Sequence, residues 1–135
     1  MPRLSVLAVS ARLPGWAEAA CAEYAKRMPK GYEVARIAVK DGKRLRAALP
    51  RNARLVVLDE RGKDYTTRQF AELLKSEAAF LIGGPDGLDA SIKGEAGLVL
   101  RLSAMTLPHA LAQVVLLEQL YRAATLLTGH PYHRE

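Results

Sequence analysis

The stretch AFLIGG, Ala79–Gly84, places four apolar residues directly before two glycines. A short apolar run that ends in glycine is typical of a buried strand followed by a tight turn. Four further runs of similar length are rich in branched apolar residues: Leu4–Val9, Val34–Val39, Arg54–Glu60 and Leu98–Ser103. We expect all five runs to be strands, and most of them to be covered on both faces.

Two amphipathic segments between these runs predict helices. Pro14–Met28 carries an apolar residue at every fourth position, which would line one helix face. These residues are Trp16, Ala20, Tyr24 and Met28. In Thr66–Ser76, Thr66 and Gln69 have the spacing of a capping box, which marks a helix start. The alternation predicts one α/β domain over residues 1–135, with a mostly parallel sheet and helices on both faces.

The last helical segment, Pro108–Gly129, has proline at its start and glycine just past its end, as helices prefer. Apolar residues cover almost its whole circumference, so the helix must be buried on more than one side. In a chain of 135 residues, one side can face the sheet and another side a second subunit. The sequence therefore predicts a homodimer with this helix at its interface.

The charge balance favours a polyanionic partner, because the net charge is +6 and the pI is about 9.7. The segment Arg36–Arg54 carries seven Lys or Arg residues against one acid, Asp41. This segment is either a solvated face, the usual fate of charge runs, or a surface that contacts RNA phosphates. The best candidates for phosphate contacts are Lys43, Arg44 and Arg46.

Cys21 is the only cysteine, so a disulfide within the chain is impossible and a reducing compartment is expected. The first apolar run is too short for a signal peptide or a membrane span. We expect a soluble, cytoplasmic protein that does not enter a membrane.

Two loops follow strands and are rich in small residues. Leu81–Asp89 contains three glycines and is either a tight turn or a place where backbone amides approach a ligand at the sheet's carboxyl edge. It matches neither the dinucleotide fingerprint nor the phosphate loop. Arg101–His109 is either a plain strand–helix connection or a loop whose backbone binds a purine-like edge. The residues alone leave both pairs of alternatives open.

The tail HPYHRE, His130–Glu135, concentrates acid–base and hydrogen-bonding groups. It is a solvated chain end, a metal site or a flap over an active site. A metal site is disfavoured because His130 and His133 have no third ligand nearby in sequence, and we expect no metal. Arg122 lies four residues after Glu118 and forms either an ion pair on the helix or a contact with a partner.

Four motifs, in order along the chain, resemble the RlmH family of SPOUT-superfamily methyltransferases. They are LDERGKDYTTRQFA (Leu58–Ala71), FLIGGPDGL (Phe80–Leu88), LSAMTLPHALAQVVLLEQLYRA (Leu102–Ala123) and HPYHRE (His130–Glu135). The resemblance covers the carboxyl-terminal half almost without a gap. This family methylates N3 of a pseudouridine in 23S rRNA of the bacterial large ribosomal subunit.

The resemblance implies a SPOUT-type fold with a carboxyl-terminal trefoil knot, a homodimer, and S-adenosylmethionine bound largely by backbone groups. The residues that match the family's cofactor contacts are Leu58, Gly83, Leu102, Ser103, Ala104, Met105, Thr106 and Leu107. The substrate it implies is 23S rRNA, in the assembled ribosome or the large subunit.

For the tail, the resemblance favours the flap. Methylation of N3 requires loss of a proton from the base, which an imidazole or phenol can accept, and a cation can stabilise the anionic base. Tyr132 would stack on the extruded base, and an imidazole would relay the proton. The residues expected to take part in catalysis are Tyr132, His133, Arg122, His130 and Arg134.

The chain also departs from the family. It is shorter, and the missing residues are expected around Ala38–Arg54, which affects how the protein would grip RNA. Ser10 and Ala11 stand where members often have glycine. Two competing functions are a SPOUT methyltransferase for a different RNA site and a ribosome-associated RNA-binding protein without catalysis. A nucleotide-binding oxidoreductase is disfavoured because its fingerprint is missing.

Overall fold

The computed structural model describes residues 3–10, 12–84 and 87–133, with only the backbone of His133. The strands are β1 (Leu4–Val9), β2 (Val34–Val39), β3 (Arg54–Asp64), β4 (Ala78–Ile82) and β5 (Leu98–Arg101). The α-helices are α1 (Gly15–Arg27), α2 (Gly42–Ala48), α3 (Thr67–Glu72), α4 (Ala90–Glu95) and α5 (His109–Thr128). Short 3₁₀ turns at Leu73–Lys75 and Pro131–His133 follow α3 and α5.

The strands form one sheet in the order β2-β1-β4-β3-β5, and every neighbouring pair is parallel. The prediction of an α/β fold with a parallel sheet is therefore confirmed. β4 lies at the centre, paired with β1 on one side and β3 on the other. The trefoil knot that the resemblance implies stays a prediction.

Helices cover both faces of this sheet, as the sequence predicts. One apolar layer lies beneath α1, α3 and α5, and a smaller one lies beneath α2 and α4. Alternate residues of β4 pack in the two layers, because successive side chains of a strand point to opposite faces. Phe80 and Ile82 lie in the first layer, whereas Ala79 and Leu81 lie in the second.

α1 buries only part of the face that its sequence suggests. Ala17 and Cys21 are buried, and Met28 and Tyr24 of the predicted stripe pack in the core, whereas Trp16 is 58% exposed. The prediction is wrong for Trp16, because a spacing of four residues exceeds the 3.6 residues of a helical turn and the stripe drifts off the buried face. The capping box at the start of α3 is confirmed, with Thr66 and Gln69 bonding each other's backbone N–H.

β3 extends four residues beyond its predicted end and contains a large bulge. Leu58 and Lys63 both lie opposite Leu100 of β5, so residues 59–62 stand outside the ladder. Gly62 crosses so close to β5 that a Cβ atom there would be 2.5 Å from the carbonyl carbon of Leu100. Only glycine fits this approach without movement of the backbone. The bulge holds residues 59–61 beside the carboxyl edge of the sheet.

α5 packs against α1 and α3 and ends as predicted, with Gly129 in the left-handed region at φ 78°. Leu116, Leu117 and Leu120 are fully buried against the sheet layer. Other apolar residues of the helix are only half-buried in the single chain: Leu111, Val114, Val115, Leu126 and Leu127. Among the described residues, none of the helices combines the length and apolar character that a membrane span needs.

The close approach at Gly62 predicts a stability change. Gly62→Ala should lower the free energy of unfolding by about 1–3 kcal/mol, since an added methyl group must displace the β5 backbone. Gly94→Ala is the matched control, because a Cβ atom there meets nothing within 4 Å. It lies in α4, so its stability should stay unchanged or rise by up to about 1 kcal/mol. Urea unfolding measures both, and equal stability of Gly62→Ala and the wild type would contradict the close approach.

Candidate functional site

A cleft of about 500 Å³ opens at the carboxyl edge of the sheet, where open α/β folds bind ligands. Three segments form it: the bulge that follows Leu58, the glycine turn after β4 and the loop between β5 and α5. Its wall also includes Lys93 of α4 and the first turn of α5, through His109 and Ala112. Segments far apart in sequence thus meet at a single cavity.

Seven of the eight predicted cofactor residues line this cleft. They are Leu58, Gly83, Leu102, Ser103, Met105, Thr106 and Leu107. Ala104 is exposed beside the same loop and is not part of the lining. The structure therefore brings the two predicted loops together, while their cofactor contacts stay a prediction.

The glycine turn presents backbone to the cleft. Gly87 N–H donates to the carbonyl of Gly84 at 2.9 Å, and Gly87 has φ 75°, a region that side chains disfavour. A Cβ atom on Gly83 would lie 2.6 Å from the carbonyl carbon of Gly87. Side chains are therefore excluded where the chain folds back on itself, which leaves peptide groups at the cavity wall.

The loop between β5 and α5 carries apolar side chains into solvent. Met105 is 79% exposed, although it is one of the large apolar residues of the chain. The hydroxyl of Ser103 accepts a hydrogen bond from the backbone N–H of Met105 at 2.9 Å, which shapes the loop. Leu102 and Leu107 are half-buried at the lining. The loop thus offers an apolar wall and free space for a flat ligand.

Ion pairs lie at the wall of the cleft, and they were not predicted from the sequence. Lys93 Nζ lies 2.7 Å from Asp59 Oδ2 and ties α4 to the bulge of β3. The hydrogen bond from Lys93 is the main reason that the pKa of Asp59 is lowered. Arg101 donates to both carboxylate oxygens of Asp64 at 2.6 and 2.9 Å, which lowers the pKa of Asp64.

His109 is a further lining residue that the sequence did not single out. Its Nε2 lies 2.9 Å from Nε2 of Gln113, which is only 4% exposed. A buried amide one helical turn away therefore holds the imidazole at the rim. His109 could have been predicted from the sequence, because it begins α5 directly after the loop that lines the cleft. Lys93 could not, because it reaches the cleft only through the packing of α4.

The tail forms a second polar cluster along α5. The Tyr132 hydroxyl donates to Glu118 Oε2 at 3.0 Å, and the Tyr132 ring lies 4.5 Å from the ring of Tyr121. Arg122 pairs with Glu118 at 2.9 Å and lies over the Tyr132 ring, 5.0 Å from its centroid. The ion pair on the helix, one of the two alternatives for Arg122, is present, and Arg122 also contacts its own chain's tail. A contact with a partner stays a prediction.

The other tail residues that the structure describes make fewer contacts with the rest of the chain. His130 is exposed, and its Nδ1 accepts from the backbone N–H of Tyr132 at 3.2 Å. The side chain of His133 and all of Arg134 lie outside the described residues. Of the described candidates for catalysis, Arg122, His130 and Tyr132 do not line the cleft. Arg122 lies thirteen positions after His109 on α5, roughly 20 Å along the axis at the usual helical rise.

The basic segment forms α2 and its flanks, and two of its three candidates are already paired. Arg44 pairs with Asp41, and Arg46 contacts Glu95 at 2.8 Å. Lys43 is exposed. The part of the chain that the structure describes contains no cluster of three His, Cys, Asp or Glu residues suited to a metal ion.

Comparison with known proteins finds a family that matches almost the whole chain. The family model described as "Predicted SPOUT methyltransferase" matches residues 2–133. "Ribosomal RNA large subunit methyltransferase H" of Paraburkholderia phymatum is 45% identical over 154 aligned positions, which include 98% of this chain and 99% of the relative. The protein of the same name from Laribacter hongkongensis is 44% identical over 155 positions, with the same shares. These alignments exceed the 135 residues of this chain, so the relatives carry additional residues.

A solved structure shares the fold at low sequence identity. The SpoU methyltransferase AviRb from Streptomyces viridochromogenes, crystallised with the cofactor AdoMet, aligns with a TM-score of 0.54 and 15% identity. The match covers 88% of this chain and 56% of AviRb, so this chain spans little more than half of that protein. At this identity the likeness concerns the fold alone.

The Asp59–Lys93 pair predicts a pH-dependent contribution to stability. Because the folded protein lowers the pKa of Asp59, the stabilisation is present above the ordinary carboxyl pKa of about 4 and is lost as pH falls through the folded value. Lys93→Met should lower the free energy of unfolding by up to about 1 kcal/mol at neutral pH, and the difference should shrink as the pH falls below about 4.

Urea unfolding over this pH range measures the effect. Lys75→Met is the matched control, because it removes an exposed pair with Glu72 on a helix surface. A Lys93→Met deficit that stays constant with pH would contradict the assigned role of the Asp59 carboxylate.

Proposed function

Because the chain belongs to the SPOUT methyltransferase family, in the branch of the ribosomal RNA large subunit methyltransferases H, we propose that it methylates 23S rRNA. The methyl group comes from S-adenosylmethionine, and the acceptor is N3 of a pseudouridine in the large ribosomal subunit. The observation that carries this proposal is that seven residues matching the family's cofactor contacts, from three separate segments, line one cleft.

The cleft fits S-adenosylmethionine in size and chemistry. Its volume of about 500 Å³ lies within the range of small-molecule sites. Leu58, Leu102 and Leu107 supply apolar surface for the adenine ring, and the glycine turn supplies backbone donors and acceptors. The Asp59–Lys93 pair at the rim offers both signs of charge to the zwitterionic amino-acid part. A methyl group on Gly83 would collide with the backbone of Gly87 and Leu88, so the turn would have to move.

When bound, S-adenosylmethionine supplies an electrophilic methyl group on a sulfonium. The protein's task is to present the target base and to take up the proton lost from N3. Burial, followed by the contacts with Tyr24 and Glu118, raises the pKa of the Tyr132 phenol, so its hydroxyl stays protonated at neutral pH. We therefore assign Tyr132 to stacking and hydrogen-bond donation, and proton uptake to the imidazole of His130 or His133.

The cations beside the tail stabilise negative charge. Deprotonation of N3 gives an anionic base, and a guanidinium held nearby lowers the energy of that species. Arg122 and Arg134 are the residues that we assign to this role. Lys43, Arg44 and Arg46 of α2 make the phosphate contacts. Among the described residues, Arg44 and Arg46 are held in ion pairs, and Lys43 is exposed.

We further propose that the active protein is a homodimer joined through α5. The half-buried apolar residues of α5 form a surface that a second copy can cover. Within one chain, the helix keeps Arg122 roughly 20 Å from the cleft rim at His109. A tail that works at the cofactor therefore serves the cleft of the partner subunit. Acting on ribosomes requires the compartment that contains them, so we assign the protein to the cytoplasm.

The first test is methyl transfer from radiolabelled S-adenosylmethionine to ribosomes that lack the modification, beside separate subunits and naked rRNA. We expect label at one pseudouridine of 23S rRNA for the wild type and for the control Gly94→Ala. A chain ending at Gly129 should bind the cofactor and transfer no label. Label in another RNA would assign a different SPOUT substrate, and RNA binding without cofactor binding would favour a non-catalytic ribosome-associated protein.

The shared site predicts complementation between two inactive variants. Gly83→Ala should lack cofactor binding but keep its tail, and the chain ending at Gly129 should lack the tail but keep its cleft. When the two are unfolded together and refolded as a mixture, about a quarter of the wild-type activity should return, because half of the dimers are mixed and each holds one complete site. A mixture as inactive as either variant alone would place the tail at its own chain's cleft and contradict the shared site.

A further inference from the structure

The carboxylate of Glu118 is the meeting point of three hydrogen-bond donors. Its Oε2 accepts from the Tyr132 hydroxyl at 3.0 Å and from Arg122 Nε at 2.9 Å. Its Oε1 accepts from the side-chain amide of Gln119 at 2.7 Å. Each of these bonds involves an ionised acceptor, which makes it stronger than a bond between neutral groups. One side chain on α5 thus holds two of the residues that we assign to the target base, Tyr132 and Arg122.

The surroundings of Glu118 strengthen this control. The side chains of Glu118 and Arg122 are only 20% and 27% exposed, so solvent screens the pair less than it screens a surface pair. The ring of Tyr132 lies between Tyr121 and the Arg122 guanidinium, and a rotation of either neighbour would remove its packing. The three side chains therefore support one another's positions.

The network also reaches the body of the protein. The Thr67 hydroxyl, in the first turn of α3, donates to the side-chain carbonyl of Gln119 at 2.8 Å. The amide of Gln119 in turn donates to Glu118. The position of the carboxylate is therefore set by two helices rather than by its own rotamer alone, which suits a group that must hold others within a narrow geometry.

We propose that Glu118 is a positioning residue for methyl transfer: its carboxylate locks the Tyr132 hydroxyl and the Arg122 guanidinium into the one arrangement in which they meet the target base. This inference rests on the proposed function and adds a residue to it. Glu118 does not touch the cofactor cleft and acts only through its two partners.

Counting donors explains why a carboxylate is needed at this position. Three donors converge on two oxygens that accept from both sides. A glutamine has one acceptor oxygen and one NH₂ group. In either orientation of the amide, its NH₂ group faces another donor, either Gln119 or the pair Arg122 and Tyr132. Glu118→Gln therefore keeps the size of the side chain and breaks the arrangement.

The central experiment compares Glu118→Gln with the wild type in the methylation assay. We expect kcat to fall roughly ten- to hundred-fold, the range for losing a hydrogen bond to a charged group. The KM for ribosomes and the affinity for S-adenosylhomocysteine, measured by calorimetry, should stay within about twofold. The matched control is Glu23→Gln, which removes an exposed pair with Arg27 on α1 and should leave every value unchanged.

A double-mutant cycle tests whether Glu118 acts through Tyr132. In a Tyr132→Phe background, which lacks the hydroxyl, Glu118→Gln should cost much less of kcat than it does in the wild type. Losses that multiply would show that the two residues act independently and would overturn the proposal. A fall in S-adenosylhomocysteine affinity that matches the fall in kcat would overturn it too, because the effect would then be a general loss of folded protein.

Hydrogen exchange of the tail gives a readout that needs no RNA. The backbone amides of His130, Tyr132 and His133 should exchange faster in Glu118→Gln, while those at the centre of α5 should keep their protection. Unchanged exchange in the tail would overturn the proposal. A wild type that methylates no RNA would remove the proposed function, and the exchange measurement would still decide whether Glu118 holds the tail.

Discussion

The rest of the structure depends on the complete burial of β4. All five residues of this strand, Ala78–Ile82, are at most 6% exposed, and the strand is paired on both edges. With no polar side chain, β4 is stable only at the centre of a sheet that is covered on both faces. Once it is fixed there, Gly83 and Gly84 emerge at the carboxyl edge, where they turn away from the sheet. The cleft is thus a consequence of where the most apolar segment must lie.

Sequence patterns predicted what depends on local chemistry. The strand positions, the capping box at Thr66 and the left-handed cap at Gly129 each follow from neighbouring residues, and the structure contains them all. The bulge of β3 was not predicted, because it depends on how closely Gly62 approaches β5, a contact between segments far apart in sequence. For the same reason Lys93 was missed at the cleft. Periodicity also misplaced Trp16, since it fixes the shape of a helix face but not which neighbour that face meets.

Two different kinds of site emerge at the two ends of α5. Near its start the cleft presents peptide groups and apolar surface, with the Asp59–Lys93 pair in its wall. Towards its end, Glu118, Arg122 and Tyr132 form a charged and aromatic cluster. The stability of such a cluster depends on each hydrogen-bond donor having an acceptor. The proposed methyl transfer uses both: a rigid binding site for the methyl donor and polar contacts with the acceptor base. The long helix sets the spacing between them.

The sheet also divides the protein into two layers that scarcely share side chains. α2 and α4 rest on one face, whereas α1, α3 and α5, with the tail cluster, rest on the other. Insertions or deletions around α2 therefore lie on the opposite face of the sheet from the tail. A change of length or charge around α2 can therefore be accommodated without repacking the residues beside Glu118.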